Sequence, residues 1–264
     1  MVDSDRPADA GVRVIISASR PATAPGIAVR GAGLRFEAQV HFEGLDLDLA
    51  GGETTCLLGP SGVGKSSLLR LLAGLPTAGL GGTVSAGDGR PLAGRTALMA
   101  QHDNLLPWAS VLDNVMLGDR LRGDAPDAPR AHALLAQLGL STAAGLRPTA
   151  LSGGMRQRAA LARTLYEDCP IVLMDEPFSA LDAVTRHRLQ GETAGVLAGR
   201  TVLLVTHDPL EALRLGHHVL VLSGRPARLR QVTPPPGDVP RAAGDPALAS
   251  AQDALFAALS SEGA

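Results

Sequence analysis

The chain has 264 residues, a formal net charge of −2 and 19% charged residues, so it lacks the basic excess that would wrap nucleic acid. That length holds one large α/β domain, or a domain with a small insertion, around a substantial core. Its longest apolar runs fall well short of the ~18–20 residues that cross a bilayer, and the opening MVDSDRPADAG is acidic where a secretory signal would be basic and then apolar. The expectation is a soluble intracellular protein whose work at any membrane goes through a partner. The two cysteines, Cys56 and Cys169, abut apolar runs and read as buried free thiols in a reducing compartment.

Taken in order, residues 1 to about 25 carry Pro, Ala, Ser and Asp with one β-like patch, Val12 to Ile16, and read as a flexible arm. Ile27 to Phe36 and Phe42 to Leu49 suit strands, and Leu45, Leu47 and Leu49 alternate with Asp46 and Asp48, which predicts an antiparallel sheet with one wet face. Thr54 to Leu58 is a buried strand, followed by a glycine-rich turn and a helix through Leu72. Ala97 to Met99 predicts another core strand. From Val111 to about Leu140 the spacing is helical, with Ala131, Leu134, Leu135 and Leu138 on one face and Pro126, Pro129 and Pro148 as punctuation. A helix from about Met155 to Glu167 presents Ala159, Ala162 and Tyr166 on one side. Ile171–Met174, Thr201–Val205 and Val219–Leu222 are continuous apolar runs of the kind found in buried parallel strands. Strands alternating with helices predict a parallel sheet covered on both faces. Thr233-Pro234-Pro235-Pro236-Gly237 then breaks the domain, and Pro246 to Leu259 forms an amphipathic helix carrying Leu248, Leu255, Phe256 and Leu259. That helix could pack on the core or help two copies associate.

The organising stretch is Gly59 to Ser67, GPSGVGKSS, which meets the spacing G-x-x-x-x-G-K-[ST] at Gly59, Gly64, Lys65 and Ser66. Glycines let successive backbone N–H groups converge on a phosphate, and the helix N-terminus adds partial positive charge. Lys65 can reach the β- and γ-phosphates, and the Ser66 hydroxyl can ligate Mg²⁺. Lys65 is the only lysine in the chain.

Four further stretches narrow what this loop serves. Asp175-Glu176 ends a buried strand, where one carboxylate can hold a Mg²⁺ shell and the next can polarise an attacking water. Leu151-Ser152-Gly153-Gly154 opens a helix and can bind a second phosphate, although Ser152 would equally serve as a plain N-cap. His207, after a strand, can hydrogen-bond a γ-phosphate or can simply sit on a surface loop. Gln101 could reach metal or water through its amide.

In this order, the P-loop, Gln101, LSGG, Asp175-Glu176, Ser179-Ala180-Leu181-Asp182 and His207 together resemble the nucleotide-binding subunit of ABC transporters from about Ile27 to Gln231. The resemblance implies an α/β fold: a P-loop NTPase with a RecA-like parallel core sheet, an antiparallel β subdomain and a helical insertion subdomain. The corresponding division is an arm over 1–25, a nucleotide-binding domain over 26–232 with its insertion at about 102–165, and a linker with amphipathic helix over 233–264. It implies that Gly59, Pro60, Ser61, Gly62, Val63, Gly64, Lys65, Ser66 and Ser67 wrap the triphosphate of ATP and that Phe36 stacks on adenine. Ser66, Gln101 and Asp175 would form the Mg²⁺ environment, Glu176 would be the general base, and His207 would fix the transition state. Asp182 would belong to a loop crossing the dimer interface, while Ser152, Gly153 and Gly154 would bind the ATP held by a second copy arranged head to tail. The family usually reads LSGGQ, and Met155 stands here in place of that glutamine.

The string LLPWASVLDNV, with LSGGMRQR and DEPFSALD, is similar to importers of nitrate, sulfonate, taurine and pyrimidine-precursor solutes. It implies transmembrane permease subunits as partners, an extracytoplasmic solute-binding protein acting through them, and a place on the cytoplasmic face of the inner membrane. Trp108, the only tryptophan, would meet the permease or else cap the helical insertion. The competing reading is a soluble ABC-type ATPase in DNA repair, translation or chromosome handling. Such proteins usually carry a long coiled coil or tandem cassettes, and neither is found here.

Overall fold

A computed structural model describes residues 13–14, 24–36 and 39–260. The expected arm lies mostly outside those residues, but Arg13–Val14 forms a short strand, β1, parallel to β3. Strands β2 (Ile27–Phe36) and β3 (Gln39–Leu49) pair antiparallel, with Ile27 opposite Leu49 and Val29 opposite Leu47. Leu45, Leu47 and Leu49 are buried and the aspartates between them are partly exposed, so the alternation in the sequence became the two faces of this sheet. The chain packs on the domain from residue 24 onward: Ala24 is buried, and the Pro25 carbonyl accepts from Thr201 Oγ1 at 2.8 Å.

β4 (Thr54–Leu58) leads through the glycine-rich turn into α1 (Lys65–Leu72). β5 (Leu80–Ala86) then returns to pair with β2, which completes a sheet in the order β1-β3-β2-β5. β6 (Thr96–Met99) precedes the helical section, made of α2 (Val111–Val115), α3 (Leu117–Arg122), α4 (Ala128–Gln137) and α5 (Gly153–Tyr166). Ala131, Leu135 and Leu138 are buried as the spacing requires, with Leu134 partly so. After α5 come β7 (Ile171–Asp175), α6 (Ala183–Leu197), β8 (Thr201–Val205), α7 (Pro209–Leu215), β9 (His218–Gly224), β10 (Ala227–Val232) and α8 (Pro246–Ser260).

The second sheet runs β10-β9-β4-β8-β7-β6, parallel except for β10. Its central strands β4, β7 and β8 are apolar or β-branched runs because both faces are covered. Cys56, Leu58, Val172, Met174, Val219 and Val221 point into a cluster with α5 and α7, while Leu57, Ile171, Leu173, Leu220 and Leu222 point into the cluster with α1 and the antiparallel sheet. Each such Val, Ile or Leu contributes about 1.5–3 kcal/mol when fully buried. Cys56 is buried and free as expected, but Cys169 is only partly buried, because it lies in the turn ahead of β7 and not in the strand.

The carboxy-terminal segment is attached to the core. Arg241 donates to the carbonyls of Leu213 (2.6 Å) and Gly216 (2.8 Å) at the end of α7, and Leu248 and Leu255 of α8 are buried in the main cluster. Phe256, expected on the apolar face, is 47% exposed, and the Leu259 side chain lies outside what is described. No helix among the described residues is long and apolar enough to cross a membrane.

Candidate active site

The turn after β4 is shaped by what a side chain would hit. Gly64 caps α1 at φ 109°, and a Cβ there would lie 2.6 Å from Phe42 Cε1, so only glycine fits. Lys65 folds back over the turn, its Nζ donating to the carbonyls of Gly59 (2.7 Å) and Pro60 (2.9 Å). Burial pulls the Lys65 pKa down, against the opposing charges of Glu176 and Asp175. Gly62, Gly64, Lys65, Ser66 and Ser67 border a cavity of ≈ 330 Å³ whose other wall includes Phe36 and His41. Phe36 stands at the end of β2, 60% exposed, with its ring available to a planar ligand. His41 in that wall carried no motif in the sequence.

Ser66 also faces a second cavity, ≈ 380 Å³, shared with Gln101 and Asp175. Asp175 ends β7 and is buried, and desolvation pushes its carboxyl up; a hydrogen bond from the Ser66 side chain acts the other way, Glu176 raises it further and Lys65 lowers it. Ser66, Gln101 and Asp175 offer a hydroxyl, an amide and a carboxylate oxygen, a set suited to a hard divalent cation, in a cavity whose wall also carries Arg70, His102 and Arg163.

Glu176 takes a left-handed backbone, φ 50°, uncommon for a side chain with a Cβ. Its N–H donates to the Val205 carbonyl at 2.9 Å. Its own carbonyl accepts from Gln157 Nε2 (2.9 Å) and Ser179 Oγ (3.0 Å). That turn aims the carboxylate toward the loop after β8, where His207 Nδ1 is 3.1 Å from Glu176 Oε2. The His207 side chain is 61% exposed, on the open side of the pair.

Ser152, Gly153, Gly154 and Asp182 border none of these spaces. Ser152 is the N-cap of α5, its Oγ accepting from Met155 N at 3.3 Å, and both it and Gly153 are exposed. Asp182 caps α6 through Thr185 N at 3.0 Å, a bond that lowers its carboxyl pKa. The structure therefore brings the P-loop, Phe36, Gln101, Asp175, Glu176 and His207 to a set of neighbouring cavities, and the LSGG turn, exposed at Ser152 and Gly153, lines none of them.

Three arginine and glutamine contacts were not foreseen. Gln157 is buried in α5 and reaches the Glu176 turn. Arg156 Nε bonds Asp103 Oδ2 at 3.0 Å, and Arg163 donates to the carbonyls of Asp103 (2.7 Å) and Asn104 (2.8 Å), pinning the loop after Gln101 to α5. The one available signal was a glutamine on the alanine-rich face of a helix, where a buried amide needs a partner.

Residues 42–179 match the family model described as ABC transporter. The chain belongs to the ABC transporter family. It is 46% identical over 202 residues to the aliphatic sulfonates import ATP-binding protein SsuB 1 of Rhodococcus jostii, covering 75% of this chain and 79% of that one. It is 43% identical over 247 residues to the taurine import ATP-binding protein TauB of Chromobacterium violaceum, covering 90% and 92%. Among solved structures it resembles a dimeric post-hydrolysis state of the ATP-binding cassette MJ0796 bound to ADP and Pi, with a TM-score of 0.71 and 26% identity over 80% of this chain and 100% of that one. The expected fold class, a P-loop ABC ATPase cassette, is the one observed.

Proposed function

We propose that this chain is the ATP-binding and ATP-hydrolysing subunit that energises a multi-component ABC importer, with an organic sulfonate of the aliphatic or taurine class as its solute. The observation that carries the reading is the division of the site. Lys65 feels the charges of Glu176 and Asp175, and Glu176 Oε2 lies 3.1 Å from His207 Nδ1, while the LSGG turn caps a helix and lines none of the cavities these residues border. Catalysis on a triphosphate needs donors on both sides of the transferring group. Two copies related head to tail by a C₂ axis would each close the other's site.

In that arrangement Phe36 stacks on the adenine and the P-loop N–H groups with Lys65 hold the phosphates. Lys65 exchanges its two carbonyl partners for phosphate oxygens as ATP enters. Ser66, Gln101 and Asp175 would hold Mg²⁺, which when bound offsets charge on the β- and γ-phosphates. Glu176 takes the proton of the attacking water as the bond from the γ-phosphorus to its bridging oxygen breaks, and His207, beside it, hydrogen-bonds the γ-phosphate. Ser152, Gly153 and Gly154 of each copy bind the nucleotide of the other, and Asp182 lies along the shared face. The names of the relatives support the solute class, and no residue of the site selects it.

The load on this motor is a membrane permease, served outside the cell by a solute-binding protein, which would hold the chain at the cytoplasmic face. Trp108, 70% exposed beside the pinned Asp103–Asn104 segment, is the residue to meet it.

Glu176→Gln tests the shared site. Turnover is expected to fall by about 10²–10⁴-fold, the usual weight of a general base. Light scattering at saturating ATP should find twice the single-chain mass. A variant that keeps one chain's mass under those conditions removes the shared-site reading.

A further inference from the structure

The amide of Gln157 joins two parts of the molecule that serve different nucleotides. It lies on α5, one helical turn after Gly154, and is buried. Its Nε2 donates to the Glu176 carbonyl (2.9 Å) and to Ser179 Oγ (3.1 Å), and its Oε1 accepts from Ala180 N (2.8 Å). Gly154 rests on the same segment, since a Cβ there would lie 3.2 Å from Ala180 O and 3.2 Å from Leu181 Cδ2. The LSGG turn and residues 176–181 thus meet through one close backbone approach and one fully engaged side chain.

What Gln157 holds is a conformation that needs holding. A left-handed backbone at a glutamate is strained and persists only where its surroundings over-determine it. Here the Val205 carbonyl fixes the N–H of Glu176, and Gln157 with Ser179 fixes its carbonyl. Without the Gln157 donor the Glu176 carbonyl keeps only the Ser179 hydroxyl (3.0 Å) and N–H (3.3 Å), a looser hold that lets the carboxylate shift relative to His207. Displacement of a reacting group by about 1 Å can cost 10²-fold in rate.

We propose that Gln157 is a positioning residue that holds Glu176 in its left-handed turn and couples it to the LSGG turn, so that nucleotide engaged by the partner at Ser152 and Gly153 steadies the base of this chain's own site. The proposal rests on the shared-site reading above. It makes α5 the route by which each site senses the other, with a single amide at the junction.

The test uses the full chain with two substitutions. Gln157→Met keeps the volume and removes all three hydrogen bonds; Gln157→Glu keeps the acceptor for Ala180 N and replaces the donor with a charged oxygen, and decides the matter if the Met variant folds poorly. The expected result is a kcat lowered about 10²-fold with the KM for ATP within about threefold of the parent. The Gln157→Met/Glu176→Gln double variant, in single turnover with labelled ATP, should hydrolyse no more slowly than Glu176→Gln alone, because Gln157 acts through that carboxylate. A kcat within about threefold of the parent for the folded variants, or a loss that adds in full to that of Glu176→Gln, overturns the proposal. The same samples separate the two ideas. If Glu176→Gln forms no ATP-dependent dimer, the shared site and the coupling fall together, while the kcat loss of Gln157→Glu still decides the positioning of Glu176.

Discussion

At the scale of single residues, Glu211, which borders a small cavity with Glu176 and His207, shows how burial sets chemistry beside the site. Its carboxyl is buried between α6 and α7; Oε2 accepts from Gln190 Nε2 at 3.2 Å, and Oε1 has no partner among the described residues. Desolvation, then the charge of Asp208, pushes its pKa up to about 7, opposed by the Thr206 hydroxyl, Arg186 and Gln190. Between the ordinary value of 4.5 and about 7 the folded chain therefore binds a proton that the unfolded chain has lost, and stability falls as pH rises through that window. Glu211→Gln removes the titration. Its stability gain over the parent in urea unfolding should be about 1–3 kcal/mol larger at pH 8 than near pH 4. A gain independent of pH would show that the carboxyl ionises freely in the fold. The placement of the P-loop residues, Asp175, Glu176 and His207 beside strand ends was legible in the sequence because it follows from local spacing. Gln157 and Glu211 were not, because what they touch is set by how α5, α6 and α7 pack.

Among the elements, the strands of the parallel sheet were readable as apolar runs, but β5 and β10 were not anticipated. β5, LGGTVSA, has two glycines and mostly exposed positions, so its place rests on main-chain pairing with β2 and not on a buried face. β10, ARLRQV, buries only Ala227 and Leu229 and depends on its antiparallel partner β9. The final helix was legible as a helix, whereas its orientation was not. Leu255 and Phe256 are neighbours about 100° apart on the helix, and packing against α7 turns the leucine inward and leaves the larger phenylalanine facing out. Leu255→Ala should cost about 2–5 kcal/mol in equilibrium unfolding, and Phe256→Ala no more than about 0.5 kcal/mol. Equal effects from the two would mean that α8 sits on the core in another rotation.

For the molecule as a whole, one chain carries the P-loop with Asp175, Glu176 and His207 and, outside the cavities they border, an exposed LSGG turn that the proposed function assigns to the nucleotide of a second copy. The motifs announced both halves in the sequence, and the fold adds that Ser152 and Gly153 are exposed and border none of the cavities lined by the P-loop, Asp175 and Glu176. Ser152→Arg puts a bulky cation on that exposed turn. ATP affinity of the isolated chain, read by nucleotide titration, should stay within about threefold, while hydrolysis falls about 10²–10³-fold, as when a donor to the transition state is lost. Weakened binding by the single chain would instead bring Ser152 into its own cradle. The closed ring that Lys65 makes with Gly59 and Pro60 has a practical side as well. It holds the one ε-amine of these 264 residues. Reductive methylation with isotope-enriched formaldehyde adds two equivalent methyl groups, preserves the positive charge and, the α-amino terminus aside, would mark a single side chain. A resonance spectrum of this protein would then have one bright line, lit from the floor of the phosphate cradle.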